Sequence, residues 1–177
     1  SIKNFYLFGV EPDNIEILDF EEEDFLKSDF LQIKLLSIFP PTEIKTLIDP
    51  NIIISHCFPS GYCLKQSVND LSEQNEYFHL SFRNLYCTSF NEKNIYFTCC
   101  IIYEKLSKYL EIKNILNKSR NIKSIDIKSL NKKIDPNEIY IPKLICISSF
   151  IPYPMQFRTI LEKLVLYSNR DKIIIPI

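Results

Sequence analysis

The sequence predicts an α/β fold of the α+β kind, one antiparallel sheet with helices packed against it, in a single unit over residues 1–177. Three observations carry that expectation. Short aromatic and β-branched runs recur between turn residues, as strands do. Two of these runs flank the loop FNEKN at 90–94, the arrangement of an antiparallel pair. Near the end, Met155, Phe157, Ile160, Leu161, Leu164 and Val165 fall on one stripe at helical spacing.

Taken in order, FYLFGV at 5–10 is an apolar run closed by Gly9 and Pro12, which reads as a strand. The following NIEILDFEEEDFLK sets Glu21, Glu22, Glu23 and Asp24 side by side, with no base at a spacing that implies catalysis; a solvated acidic loop is expected. FLQIKLLSIFPP at 30–41 is apolar at Leu31, Ile33, Leu35 and Leu36 and stops abruptly at Pro40-Pro41, because the residue before a proline is pushed extended. In NIIISHCFPSGYCLK the β-branched residues Ile52, Ile53 and Ile54 suit a buried strand. Pro59, Ser60 and Gly61 then make a turn, and Tyr62 and Leu64 begin a returning strand. After a polar loop, YFHLSFRNLYCTS is extended chain up to the loop FNEKN, and residues 95–103 form a strand expected to pair antiparallel across that loop. Residues 105–138 are lysine-rich and short of aromatics. Leu106, Tyr109, Leu110 and Leu116 keep helical spacing at their start, and the segment as a whole reads as a basic, mobile insertion. Leu144, Ile145, Cys146 and Ile147 make a short buried strand broken by Pro152 and Pro154, ahead of the helical stripe. The tail DKIIIPI is a last strand or the start of a connection.

Composition narrows the function classes. Apolar residues make up 46% and charged residues 24%, so the chain can bury a core. A formal net charge of −1 argues against broad electrostatic binding to nucleic acid. Alanine and tryptophan are absent while isoleucine, lysine and asparagine abound, a bias of genome composition that weakens any inference from a lone lysine or asparagine. Cys57, Cys63, Cys87, Cys99, Cys100 and Cys146 sit mostly in apolar runs, where a thiol packs as a small hydrophobe. They form no C-x2-C pair, and His56 and His79 are not spaced with them as zinc ligands, so no metal or other cofactor is expected. Reduced, buried thiols in a cytoplasmic protein follow.

HCFPSGYC at 56–63 raises one catalytic possibility, the phosphate loop of a cysteine-dependent phosphatase. That chemistry needs a guanidinium six residues after the cysteine to grip the phosphate bidentately, and the position is Cys63. Pro59 also removes an N–H from the cradle. The segment is expected to be a turn, and no catalytic residue is assigned.

Three segments together bear a resemblance to a known family. IYIPKLICISSFIPYPMQFRTILEKLVLY resembles a segment of DENN-domain proteins through Tyr140, Pro142, Lys143, Cys146, Ser148, Pro152, Tyr153, Phe157, Ile160, Leu161 and Leu164. HCFPSGYCLK is similar to an upstream element of that family through Cys57, Phe58, Pro59 and Gly61. Ile95, Tyr96, Phe97, Cys99, Tyr103 and Glu104 follow its hairpin more loosely, with Thr98 close to the family's usual glycine. The three occur in family order. The resemblance implies the upstream lobe of a larger DENN protein, with a longin-like antiparallel sheet flanked by helices. It implies guanine-nucleotide exchange on Rab-family small GTPases in membrane trafficking, a reaction without covalent catalysis and expected only together with the central DENN region of the same protein. An adaptor that assembles complexes without exchange is the alternative. Phe58, Pro59, Gly61, Pro142, Cys146, Pro152, Phe157 and Leu161 are expected to hold the lobe together rather than to touch a nucleotide.

Overall fold

The computed structural model describes residues 2–11, 32–41, 48–67, 69–70, 74–83, 94–119, 135 and 137–170. The acidic run at 21–24, Cys87, the loop at 90–93, residues 120–134 and the tail at 171–177 lie outside the described residues.

The expected α+β architecture is what the chain forms. β1 (Ile2–Val10), β2 (Ile33–Phe39), β4 (Glu76–Arg83), β5 (Asn94–Lys105) and β6 (Ile139–Ser149) line up in the order β2-β1-β6-β5-β4. The two-residue β3 (Lys65–Gln66) makes the sheet six-stranded by pairing with β6, and every pairing is antiparallel. The pairing expected across 90–94 is present as β4 against β5, from Glu76 opposite Ile101 to Arg83 opposite Asn94. Longin-like describes this outcome: a single antiparallel sheet with helices on its faces.

Strand parity decides which helix covers which side, because successive side chains of a strand point to opposite faces. Phe97, Cys99, Ile101 and Tyr103 of β5 join Tyr6 and Phe8 of β1 and Leu144 and Cys146 of β6 in one core. Helix α1 (Pro50–Cys57) closes that core with Ile53 and Cys57. The alternate residues, Cys100 of β5 and Ile147 of β6, face Phe157, Leu161 and Val165 of α3 (Pro154–Arg170). β5 and β6 are therefore buried on both faces, which explains why IYFTCCIIY and KLICISS are almost unbroken apolar runs. The predicted strand at 144–147 is the middle of a strand more than twice as long.

The strand expected at Ile52–Ile54 is instead α1. β-branched side chains favour strands, but Asp49 caps the segment, its carboxylate accepting from the Asn51 N–H at 2.9 Å, and Pro50 fills the first turn. Ile53 and Cys57, four residues apart, then share the buried side. The turn that follows matches expectation: the Gly61 N–H donates to Phe58 O at 3.0 Å, and Gly61 takes φ +84°, where any side chain would be strained. The returning strand is reduced to β3.

Helix α2 (Leu106–Ser119) forms where the helical spacing at the start of the basic segment places it. Lys105 belongs to β5, and Leu106, Tyr109 and Leu110 are fully buried, so this part of the lysine-rich segment is anchored to the sheet. The Tyr109 hydroxyl donates to the Val10 carbonyl at the end of β1.

Candidate functional site

The three segments that carry the family resemblance, far apart in sequence, meet around β5 and β6. Tyr103 stands opposite Pro142 in the β5–β6 register. Their neighbours Glu104 and Lys143 form an ion pair, with side chains only 15% and 17% exposed. Lys108, from the first turn of α2, reaches the other oxygen of Glu104 at 3.1 Å. Burial pushes the Glu104 carboxyl up, but Lys143 and Lys108 together outweigh it and hold the group below its ordinary value. Lys143 also lies over the Tyr109 ring, 5.0 Å from its centre.

Pro142 sits inside a central strand, where the lost N–H would ordinarily cost a ladder bond. The Tyr62 hydroxyl, from the turn after α1, donates to the Pro142 carbonyl at 3.0 Å. A strand residue's N–H and C=O point the same way, so the Pro142 nitrogen also faces away from β5. On that side β1 pairs with β6 through Leu144 and β3 begins at Tyr140, leaving a gap at Pro142. The proline is tolerated because no partner strand needs its donor.

Cys57 completes the convergence. Cys99 and Cys146 are directly opposite in register with their Sγ atoms 2.8 Å apart, and the Cys57 thiol lies against Cys99. All three are buried. Contact with Cys99 and burial push the Cys57 thiol up, and burial does the same to Cys99 and Cys146. A thiol held neutral is a poor nucleophile, so Cys57 lacks the activated thiolate of a phosphatase loop. Cys63, by contrast, is exposed.

Of the expected scaffold residues, Cys146, Phe157 and Leu161 are buried, and Phe58 packs on the α1-side core with its ring 5.6 Å from that of Tyr62. Pro142 holds the gap just described. Pro59 and Pro152 are exposed and act through the backbone, at the turn after α1 and just before α3. Thr98, near the position of a family glycine, is buried beside His79, 3.4 Å from its Nδ1.

A surface feature was not legible in the sequence. Phe5, Leu7 and Gly9 of β1 point away from α1, since Tyr6 and Phe8 point toward it. Phe39 of β2 pairs with Phe5, and Leu36, at an irregularity in the β1–β2 register, reaches over Gly9, where a Cβ would meet its Cδ1 at 2.8 Å. Helix α3 packs over β5 and β6. Phe5, Leu7 and Leu36 consequently stay only half-buried, and Phe39 is 66% exposed. The flank of α3 that carries Arg158 leans toward β4, with the guanidinium 4.5 Å from the Tyr77 ring centre. Ile160 and Leu164 lie on the opposite flank, at roughly 100° per residue, and Ile160 packs in the same cluster as Phe5 of β1. Among the described residues, Phe5 and Ile160 pack at the margin of the α3-side core, and Leu7, Leu36, Phe39 and Leu164 on that side stay half-buried or exposed, an apolar face beside α3. Leu164 was expected in the core with Met155; both are exposed, 43% and 65%.

Among the described residues no group of His, Cys, Asp and Glu is arranged to hold a metal ion, and no helix is long and apolar enough to cross a membrane. The chain matches no family model, no curated protein and no solved structure.

Proposed function

We propose that this chain is a protein-binding lobe, the upstream lobe of a DENN-type exchange factor for Rab-family small GTPases. The single observation that carries the reading is the half-open apolar face of β1, β2 and α3. Contiguous apolar surface of this kind marks a place where another protein packs. The meeting of Glu104 with Lys143 and of Cys57 with Cys99 supports the family resemblance as well, because residues matched in separate segments serve one scaffold.

Exchange by such a lobe makes and breaks no covalent bond. It binds the nucleotide-free GTPase more tightly than the loaded one, and that difference speeds nucleotide release. The lobe works together with a central DENN region, at the cytoplasmic surface of vesicles or organelles, and needs no cofactor. An adaptor that uses the same face to assemble complexes without exchange is the second reading.

Release of a fluorescent guanine nucleotide from a panel of Rab-type GTPases tests the proposal, with this chain alone and with protein that also carries the central region. The expected result is faster release from one GTPase by the longer protein and little effect of this chain alone. Complex assembly with no acceleration on any GTPase would replace exchange with the adaptor reading.

A further inference from the structure

We propose that Cys99 and Cys146 are an oxidation site at which a cross-strand disulfide closes between β5 and β6, with the end of α1 as its cover. The β5–β6 register runs without interruption from Tyr96 opposite Ser149 to Lys105 opposite Tyr140. Tyr103 and Pro142 do not exchange ladder hydrogen bonds, since the Pro142 carbonyl turns to Tyr62 on the far side. Cys99 and Cys146 lie four residues along the same strands, so they too form a non-hydrogen-bonded pair. Such pairs bring Cα atoms to about 4.5 Å, within the disulfide range of about 4.4–6.8 Å. The two sulfurs, at 2.8 Å, need to close only to about 2.05 Å.

Among the described residues the other thiols are placed differently. Cys100 faces α3 and Cys63 is exposed. Cys57 lies against Cys99 but belongs to α1, an eight-residue helix that sends two fully buried side chains, Ile53 and Cys57, into the core, with Ile54 and His56 packing at its margin. So short a helix opens more easily than the strands beneath it. Opening of α1 admits a small oxidant to sulfurs that burial otherwise keeps neutral.

Hydrogen peroxide is an oxidant of suitable size. One cysteine sulfur, as thiolate, attacks a peroxide oxygen; the O–O bond breaks, leaving a sulfenic acid and, with the released proton, water. The second sulfur attacks the sulfenic sulfur; its S–H proton joins the departing hydroxide as a second water, and the S–S bond forms. Two thiols and one peroxide give one disulfide and two waters, two electrons passing from sulfur to oxygen. The bond closes a covalent loop through α2 between the two central strands.

The test treats the purified chain with hydrogen peroxide, blocks remaining thiols under denaturing conditions, and maps linked peptides before and after reduction. The expected product is a Cys99–Cys146 linked peptide lighter by two hydrogens and released by dithiothreitol. Cys57→Ser should form the same link, and Ile53→Ala, which loosens α1, should form it several-fold faster. Full alkylation of Cys99 and Cys146 while Cys63 oxidises, or a link from Cys57 to either of them, would overturn the assignment.

Discussion

Replacing Lys143 with methionine is expected to destabilise the fold by about 3 kcal/mol, because it strands Glu104 in a partly dry site. Glu104 retains Lys108, whose side chain is 53% exposed and whose attraction is correspondingly screened by water. Methionine keeps most of the apolar stem that packs near Gly9 and Tyr109, so the loss isolates the charge. The double variant Glu104→Gln with Lys143→Met should recover most of it, since an unpaired carboxylate is no longer buried. The pH dependence carries a definite sign. In the native chain the Glu104 carboxyl is held below its ordinary value, so its contribution is present above that ordinary value and is lost as pH falls through the lower folded value. Without Lys143 the folded value rises, and less stability is lost on acidification. The gap between native and variant proteins should therefore narrow as pH is lowered through the carboxylate range. Urea unfolding across a pH series measures both effects; equal stability of the single and double variants at neutral pH would show that the ion pair does not matter.

Leu161→Ala is expected to cost about 3 kcal/mol, the lost transfer energy of a fully buried leucine plus the cavity it leaves. Leu161 lies between Phe157 and Val165 on the inner side of α3, against Cys100 and Ile147. Met155→Ser, on the same helix but facing water, should change stability by no more than about 0.5 kcal/mol. Thermal unfolding of the two variants separates the core side of α3 from its outer side. Similar losses would mean that Met155 is packed and that the helix is rotated from the orientation described.

The contrast on α3 shows how far the sequence could be read. Phe157, Leu161 and Val165, at intervals of four, were legible as core because helical periodicity is local. Met155 and Leu164 were drawn into the same stripe because a leucine or methionine beside a core face looks like part of it until the sheet beneath has a position. At α1 a propensity argument from three isoleucines lost to end signals, Asp49 and Pro50, that act only when read as a cap. At the start of the basic segment the spacing of Leu106, Tyr109 and Leu110 was legible as helical, and α2 forms there with these side chains buried. β5 and its antiparallel pairing with β4 were legible because aromatic and β-branched residues mark both strands. The apolar face was not, because Phe5 and Phe39 meet only once β1 and β2 pair, and Leu36 reaches Gly9 only through an irregularity in the register.

The most direct test of the proposed partner surface is binding of nucleotide-free Rab-type GTPases to the chain carrying Phe39→Asp and Leu164→Asp, compared with the unchanged chain. Both side chains are exposed, so the variant should unfold at nearly the same urea concentration as the native protein. The expected result is a retained fold with binding weakened at least tenfold, as charges placed at the centre of an apolar interface are desolvated without partners. Binding of unchanged strength to a folded variant would contradict the account and place the partner surface elsewhere on the lobe.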